Sequence, residues 1–349
     1  MIRVLIIGTG GMARAHTEAY QAIDGVEVVA GVDVNAEALA TFQADFGIPH
    51  GFSSVEDAIA WGEFDAASNV TPDAIHMRTT LPLLAAGKHV LCEKPLATSQ
   101  EDADVMARAA ADAGVVNMVN LTYRNVPALI HAAQLVAEGR IGEVRHFEAS
   151  YLQSWLTQDA WGHWATEDQW LWRLSTKHGS MGVLGDVGVH ILDFATFAAG
   201  APVERVSCRL QTFDKAEGGE IPPYVLDAND SMAMHMKLTN GAIGVVHDSR
   251  FASGHLNDLR LRIFGTQGGL DVRYENATSA LFISEGGNLL TGDWVEMAPP
   301  EVDTNYQRFI TAIQDGTSVL PDFARGAALQ RVLDLAVVSD QEGAKDQEV

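Results

Sequence analysis

The sequence predicts an α/β protein in two parts: a doubly wound parallel sheet, followed by an α/β domain with an open, mainly antiparallel sheet. Three observations lead there. Short apolar runs alternate with helix-length segments up to about residue 121. A glycine-rich turn, Gly8-Thr-Gly-Gly-Met-Ala13, joins the first run to the first helix. After residue 200, strand-like runs follow one another with Gly, Asn and Asp turns between them. The 349 residues are enough for two cores, and the change of texture divides them at 1–121 and 122–349.

Taken in order, Arg3–Ile7 reads as a strand, because it is too short for a secretion signal and runs directly into glycines. A helix is expected from about Met12 to Ile23, a strand over Val26–Val32, and a helix ending near Phe46. Asp65–Val70, Val90–Cys92 and Val115–Asn120 read as further strands. Pro72 behind Thr71 suits the first position of a helix, which Pro82 should break or kink near Leu81. Ser99 suits an N-cap, with Asp102 at the capping-box position and Gly114 as the stop. Beyond these come a helix from Pro127 to Gly139, the alternating strand Val144–Leu152, a Trp-rich segment and a helix from Asp186 to Ala199. Strand-like runs fill most of 203–286, two helices near 305–315 and 324–339 close the chain, and the polar tail after Gln341 is expected to fray.

Composition narrows the function. A net charge of −23 and a pI near 4.7 repel nucleic acid and anionic lipid, so neither is an expected partner. No run is long and apolar enough to span a membrane. Cys92 and Cys208 lie far apart without a CxxC neighbour, which suggests no disulfide framework, no structural metal and a reducing, cytoplasmic setting.

The glycine-rich turn has the GxGxxA spacing of a dinucleotide loop. Gly8 permits the tight turn, Gly10 lets backbone approach a pyrophosphate, and Ala13 allows close helix–strand packing. Thr9, Gly11 and Met12 complete the loop. Asp33 ends the second strand, where an acid meets the adenine ribose, and its charge opposes a 2′-phosphate. NAD is therefore favoured over NADP. The alternatives are a ligand-free glycine turn and an aspartate that merely caps one.

Three other stretches carry chemistry. Asn69-Val-Thr-Pro72 follows a parallel strand and opens a helix, where it could bind nucleotide or simply cap, and His76 on the next turn reads as structural. Glu93-Lys-Pro95 ends an apolar strand, and an ammonium there could stabilise a developing alkoxide or be an ordinary surface charge. Gly185-Asp-Val-Gly-Val-His190 places a carboxylate and an imidazole four apart. That suits either a general base with its orienting acid or a capped, packed helix.

Together, AGKHVLCEKPLA, the preceding GTGGMA and the later GDVGVHILD resemble the Gfo/Idh/MocA oxidoreductases over nearly the whole chain. The resemblance implies a Rossmann domain and an open-sheet α/β domain often used for homo-oligomers, here a dimer or tetramer. It implies hydride transfer between nicotinamide and a ring hydroxyl of a sugar, inositol or related polyol. By position, Lys94, Asp186 and His190 would be catalytic. Glu93, Asn69, Thr71, Pro72 and His76 would line the nicotinamide side. Asn120 and Arg124, in NLTYRN, would lie near cofactor and substrate respectively. Five of the seven tryptophans fall within 155–172, and Trp172, Arg173 and His163 are candidates to hold a sugar ring. An NAD-retaining glycoside hydrolase or lyase, and a non-catalytic dinucleotide sensor, are the alternatives.

Overall fold

The elements follow the expected alternation in a computed structural model that describes the whole chain, Met1–Val349. In order they are β1 (Ile2–Ile7), α1 (Gly11–Gln21), β2 (Val26–Val32), α2 (Ala36–Phe46), β3 (His50–Phe52), α3 (Val55–Trp61), β4 (Ala66–Asn69), α4 (His76–Ala85), β5 (His89–Cys92), α5 (Gln100–Ala113) and β6 (Asn117–Val119). After these come α6 (Pro127–Ala137), β7 (Val144–Gln153), α7 (Asp168–Leu171), α8 (Val189–Ala198), β8 (Val203–Gln211), β9 (Glu220–Ile221), β10 (Tyr224–Val225), β11 (Ser231–Leu238) and β12 (Ile243–Ser249). The remainder is β13 (Asn257–Gly265), β14 (Gly268–Glu275), β15 (Thr278–Glu285), α9 (Asn288–Thr291), β16 (Val295–Met297), α10 (Asn305–Asp315), α11 (Phe323–Gln341) and β17 (Gln347–Glu348).

The chain groups into two units, one of Met1–Leu121 with Asp303–Gln330 and one of Thr122–Val302 with Arg331–Val349. The first break falls at the expected residue. The return of 303–330 to the first unit was not expected from a division at 121/122. Its physical reason is α10, whose Tyr306, Phe309 and Ile310 join the core formed by Val4, Ile6, Tyr20 and Met118.

The first unit holds a six-stranded sheet in the order β3-β2-β1-β4-β5-β6, parallel throughout. This order reverses beside β1, so the loops after β1 and β4 lie at the switch point where such sheets bind ligands. Ser99 caps α5 by accepting from the Asp102 N–H, and Gly114 ends the helix in the left-handed conformation. One local expectation fails, and of a second only the break is excluded. Pro72 sits just before a single 3-10 turn, Asp73–Ile75, rather than at the first position of α4. Pro82 lies inside α4 without ending it, since the helix closes only at Ala86.

The second unit holds a nine-stranded sheet in the order β16-β15-β14-β13-β7-β12-β11-β8-β17. Only β7 and β12 pair in parallel; every other neighbour is antiparallel. Helices α6 and α8 pack on one face. The alternating burial along β11, with Met232, Met234 and Met236 inside, shows that the other face is open. The tail does not fray as expected. Gln347 and Glu348 pair with Val206 and Arg205, because the edge of β8 offers unpaired backbone groups.

Candidate active site

In the first unit, the loop after β1 is built for an anion. Gly8 has φ +85°, and a Cβ there would lie 2.9 Å from the Val70 carbonyl oxygen. Gly10 precedes α1 without a side-chain cap, and a Cβ added at Gly10 or Gly11 would meet nothing within 4 Å. Uncapped amides at a helix start, facing open space, suit a pyrophosphate. The adjoining cavity of about 450 Å³ is lined by Thr9, Gly10, Gly11, Arg14, Asn35 and Thr41 among others. Met12 is half exposed beside it.

Asp33 faces this loop. Its carboxylate accepts from the Thr9 backbone N–H and hydroxyl, both at 2.8 Å, and from the Asn35 N–H at 2.8 Å. Partial burial works to raise its pKa, but these donors hold it below the ordinary carboxylate range. Asp33 therefore caps a turn and presents a fixed negative charge at once. These residues fit NAD.

The Asn69–Pro72 and Glu93–Pro95 corners are carried by adjacent strands, and the Glu93 N–H donates to the Asn69 carbonyl at 2.9 Å. Thr71 is partly exposed and Pro72 exposed at the rim. Asn69, His76 and Asn120 are fully buried, which for His76 agrees with the structural reading of its place on the helix. The Asn69 amide donates to Thr79 and Thr80 and accepts from Thr71. Both His76 ring nitrogens meet backbone carbonyls. These side chains shape the rim from beneath rather than present themselves to a cofactor.

Glu93 is also a support. It is 8% exposed, and its Oε1 lies 2.8 Å from His16 Nε2 and 2.6 Å from the Asn120 amide nitrogen. Its Oε2 accepts from the Lys94 N–H at 3.2 Å. Burial opposes its charge, yet the His16 and Asn120 hydrogen bonds bring its pKa down to about 2. His16 also meets Ser68 at 2.7 Å, and Asn120 donates to Tyr306 and accepts from Asn305. His16 and Tyr306 escaped the sequence reading. The available signal for His16 was its place on the buried stripe Ala13, His16, Thr17, Tyr20 of α1.

In the second unit, Asp186 does not open a helix as expected. It lies within a π-helical turn, Leu184–Gly188, that leads into α8. Such wide turns are often found at functional sites. The glycines allow it: a Cβ on Gly185 would lie 2.3 Å from the Met181 Cβ, and one on Gly188 would lie 3.2 Å from Asp248 Oδ2. Asp186 Oδ2 accepts from Arg250 Nη2 at 3.0 Å and lies 3.8 Å from Arg173 Nε. Its side chain keeps 29% exposure, whereas His190 is 6% exposed.

Arg250 was missed by the sequence reading. It is fully buried, donates to the Arg173 carbonyl at 3.1 Å, and lies 5.0 Å over the Trp155 ring. Its only signal was a lone arginine closing a strand. Tyr123 was also missed, although Asn120 and Arg124 on either side of it were singled out. Its ring meets His190 edge-on at 5.0 Å, and its hydroxyl bonds Tyr151 at 2.5 Å and accepts from Asn257 at 3.2 Å. Arg124, expected near the substrate, is engaged by its own neighbours. Its guanidinium bonds Asp193 at 2.5 and 2.8 Å and stacks 3.5 Å from the Phe197 ring centroid, buried at 5% exposure.

Most of the tryptophans form a small core of their own. Trp155 joins Leu156, Leu171, Leu174 and Leu226, with Trp161, Trp164 and Trp170 packed against it. Trp172 stays partly exposed, with the Arg173 guanidinium 4.6 Å from its ring. His163 is exposed on a separate turn, where its N–H donates to Glu167.

Family models match stretches in both units. Residues 2–121 match the oxidoreductase family model with an NAD-binding Rossmann fold, and 129–271 match the Gfo/Idh/MocA C-terminal domain. The chain is 28% identical to levoglucosan dehydrogenase of Pseudarthrobacter phenanthrenivorans, over 97% of this chain and 96% of that protein. It is 32% identical to 1,5-anhydro-D-fructose reductase of Ensifer adhaerens, over 76% and 74%. A structure of levoglucosan dehydrogenase with NADH and L-sorbose superposes with a TM-score of 0.88 at 26% identity, covering 100% of this chain and 99% of that one. The chain therefore belongs to the Gfo/Idh/MocA family of NAD-dependent oxidoreductases.

Proposed function

We propose that this enzyme moves a hydride between NAD and a ring hydroxyl of a sugar, inositol or related cyclic polyol. The observation that carries the reading is that one chain combines two features. One is a dinucleotide loop with the Asp33 charge fixed beside it. The other is an Asp186–His190 segment on a wide helical turn, with Asp186 held by two guanidiniums. The similarity to levoglucosan dehydrogenase and 1,5-anhydro-D-fructose reductase supports a cyclic substrate.

The roles follow from the groups. When bound, NAD supplies hydride exchange with the carbon that bears the hydroxyl. His190 accepts the hydroxyl proton on a ring nitrogen as general base. The Asp186 charge favours the protonated imidazole. The Lys94 Nζ stabilises the substrate oxygen as it gains charge. Trp172 offers a flat face to the C–H side of a ring, and Arg173 offers donors to hydroxyls.

A homo-oligomer, dimer or tetramer, is part of the proposal. Ile243 on β12 and Val295 on β16 are exposed on strands of the open-faced sheet, and Trp294, next to Val295 in the chain, is exposed as well, which supports it. A cytoplasmic setting is supported by two buried, unpaired cysteines.

The test is nicotinamide absorbance with NAD and, in parallel, NADP across sugars, anhydrosugars, inositols and sugar acids. Turnover with NAD on one of these classes is expected. NAD binding with no net reduction on any of them, but cleavage of glycosides, would replace the dehydrogenase with a cofactor-retaining hydrolase.

A further inference from the structure

His76 has an unusual pair of partners. Nδ1 lies 2.9 Å from the Pro95 carbonyl oxygen, and Nε2 lies 2.8 Å from the Thr71 carbonyl oxygen. The residue is fully buried at the start of α4. A carbonyl oxygen only accepts, and a neutral imidazole has a single N–H. In either neutral tautomer one ring lone pair would point at a carbonyl lone pair, at 2.8–2.9 Å, a separation too short to admit a water. Only the imidazolium satisfies both contacts.

We infer that His76 is a permanently protonated strut that ties the Thr71 corner to the Lys94–Pro95 corner and so fixes Lys94 for reaction. It is a positioning residue, and it reaches the substrate only through the backbone it holds. The same corner is pinned from the other side, where Glu93 accepts from the Lys94 N–H. A rigid backbone matters here because an ammonium on a four-carbon stem orders only if its root is fixed.

The electrostatics agree with the geometry. Burial alone would discharge the ring. The charge of an ionised Cys92 and its hydrogen bond to the ring, then Asp73 one turn back and the Thr71 carbonyl, outweigh that and push its pKa up to about 10. Cys92 and Asp73 are the titratable groups that act on it. Bonds from a charged donor are also shorter and stronger than neutral ones.

The inference draws on the proposed hydride transfer only for the role of Lys94. Its first test needs no turnover. Neutron diffraction from wild-type crystals at about pD 8, where an ordinary histidine is neutral, should show deuterium on both ring nitrogens of His76. One bare nitrogen would overturn the proposal. The same experiment on Cys92→Ala should again show both nitrogens occupied. A neutral ring there would mean that the thiol, rather than the two carbonyls, sets the charge, and would equally overturn it. In kinetics, His76→Gln can bridge only one carbonyl as donor. Its kcat should fall about tenfold or more, with a smaller change in the KM for NAD. A lowered melting temperature with kcat unchanged would reduce His76 to an ordinary packing residue. Should the enzyme show no sugar oxidation at all, the deuterium positions would still decide the protonation state separately.

Discussion

Glu93 and Asp186 are both carboxylates beside a residue assigned to chemistry, and their surroundings differ in kind. Glu93 sits among neutral or weakly basic partners, His16, Asn120 and the Lys94 N–H, with 8% of the residue exposed. Asp186 faces two guanidiniums, Arg250 and Arg173, and keeps 29% of its side chain open. A carboxylate fully occupied by short, buried hydrogen bonds can hold backbone but cannot meet a substrate. One balanced by charge, with an open edge, can do both. The difference separates groups that position from groups that react, and neither motif reveals it by letters alone.

The largest effect that would test this contrast is at Arg250. Arg250→Ala removes the buried partner of Asp186 and the support of the Arg173 carbonyl, so stability should fall by about 3 kcal/mol, read as a lower urea midpoint. Arg250→Lys should restore only part of it, since one ammonium cannot replace a planar fork that reaches both oxygens. An Arg250→Ala protein as stable as wild type would show that Asp186 does not depend on this pair.

Glu93 should show its contribution through pH. Its folded pKa, about 2, lies below the ordinary 4.5. The resulting stability is fully present above the ordinary value and is lost as pH falls toward 2. Over that window wild type should lose about 3 kcal/mol more than Glu93→Gln, measured by denaturation at successive pH values. Parallel curves for the two proteins would sink the assignment.

At the reacting end, His190→Ala should lower kcat by about 100-fold or more while leaving NAD affinity intact. Lys94→Ala should do comparable damage, which Lys94→Arg does not repair. Wild-type turnover without His190 would remove it from the chemistry. The smallest effect concerns cofactor choice. Asp33→Ser should shrink the preference for NAD over NADP by about tenfold, or about 1.4 kcal/mol, in the ratio of kcat/KM values. An unchanged ratio would leave Asp33 as a turn cap alone.

The legible parts of this protein are those set by neighbours in sequence. The parallel sheet, β2 at Val26–Val32, the Ser99 cap and the Gly8 turn follow from periodicity, capping and φ preference, which act within a few residues. The loop with Asp33 was legible from its spacing, whereas Lys94, Asp186 and His190 were singled out through the family resemblance, and their roles stay proposals. What tertiary structure alone decided is which polar residues face a ligand and which hold the frame. Asn69, His76 and Asn120 went inward, Arg124 closed on Asp193, and Arg250 and Tyr123 emerged beside Asp186 and His190. Residues 303–330 returned to the first core, and the last residues found the edge of β8. Many of these depend on partners far apart in the chain, as in the Arg124–Asp193 bonds, 69 positions apart, and the Asn120–Tyr306 bond, 186 apart. No local propensity encodes such pairs. They are chosen because a buried polar group must find a partner and an apolar stripe must find a core, and only the folded chain determines which ones are within reach.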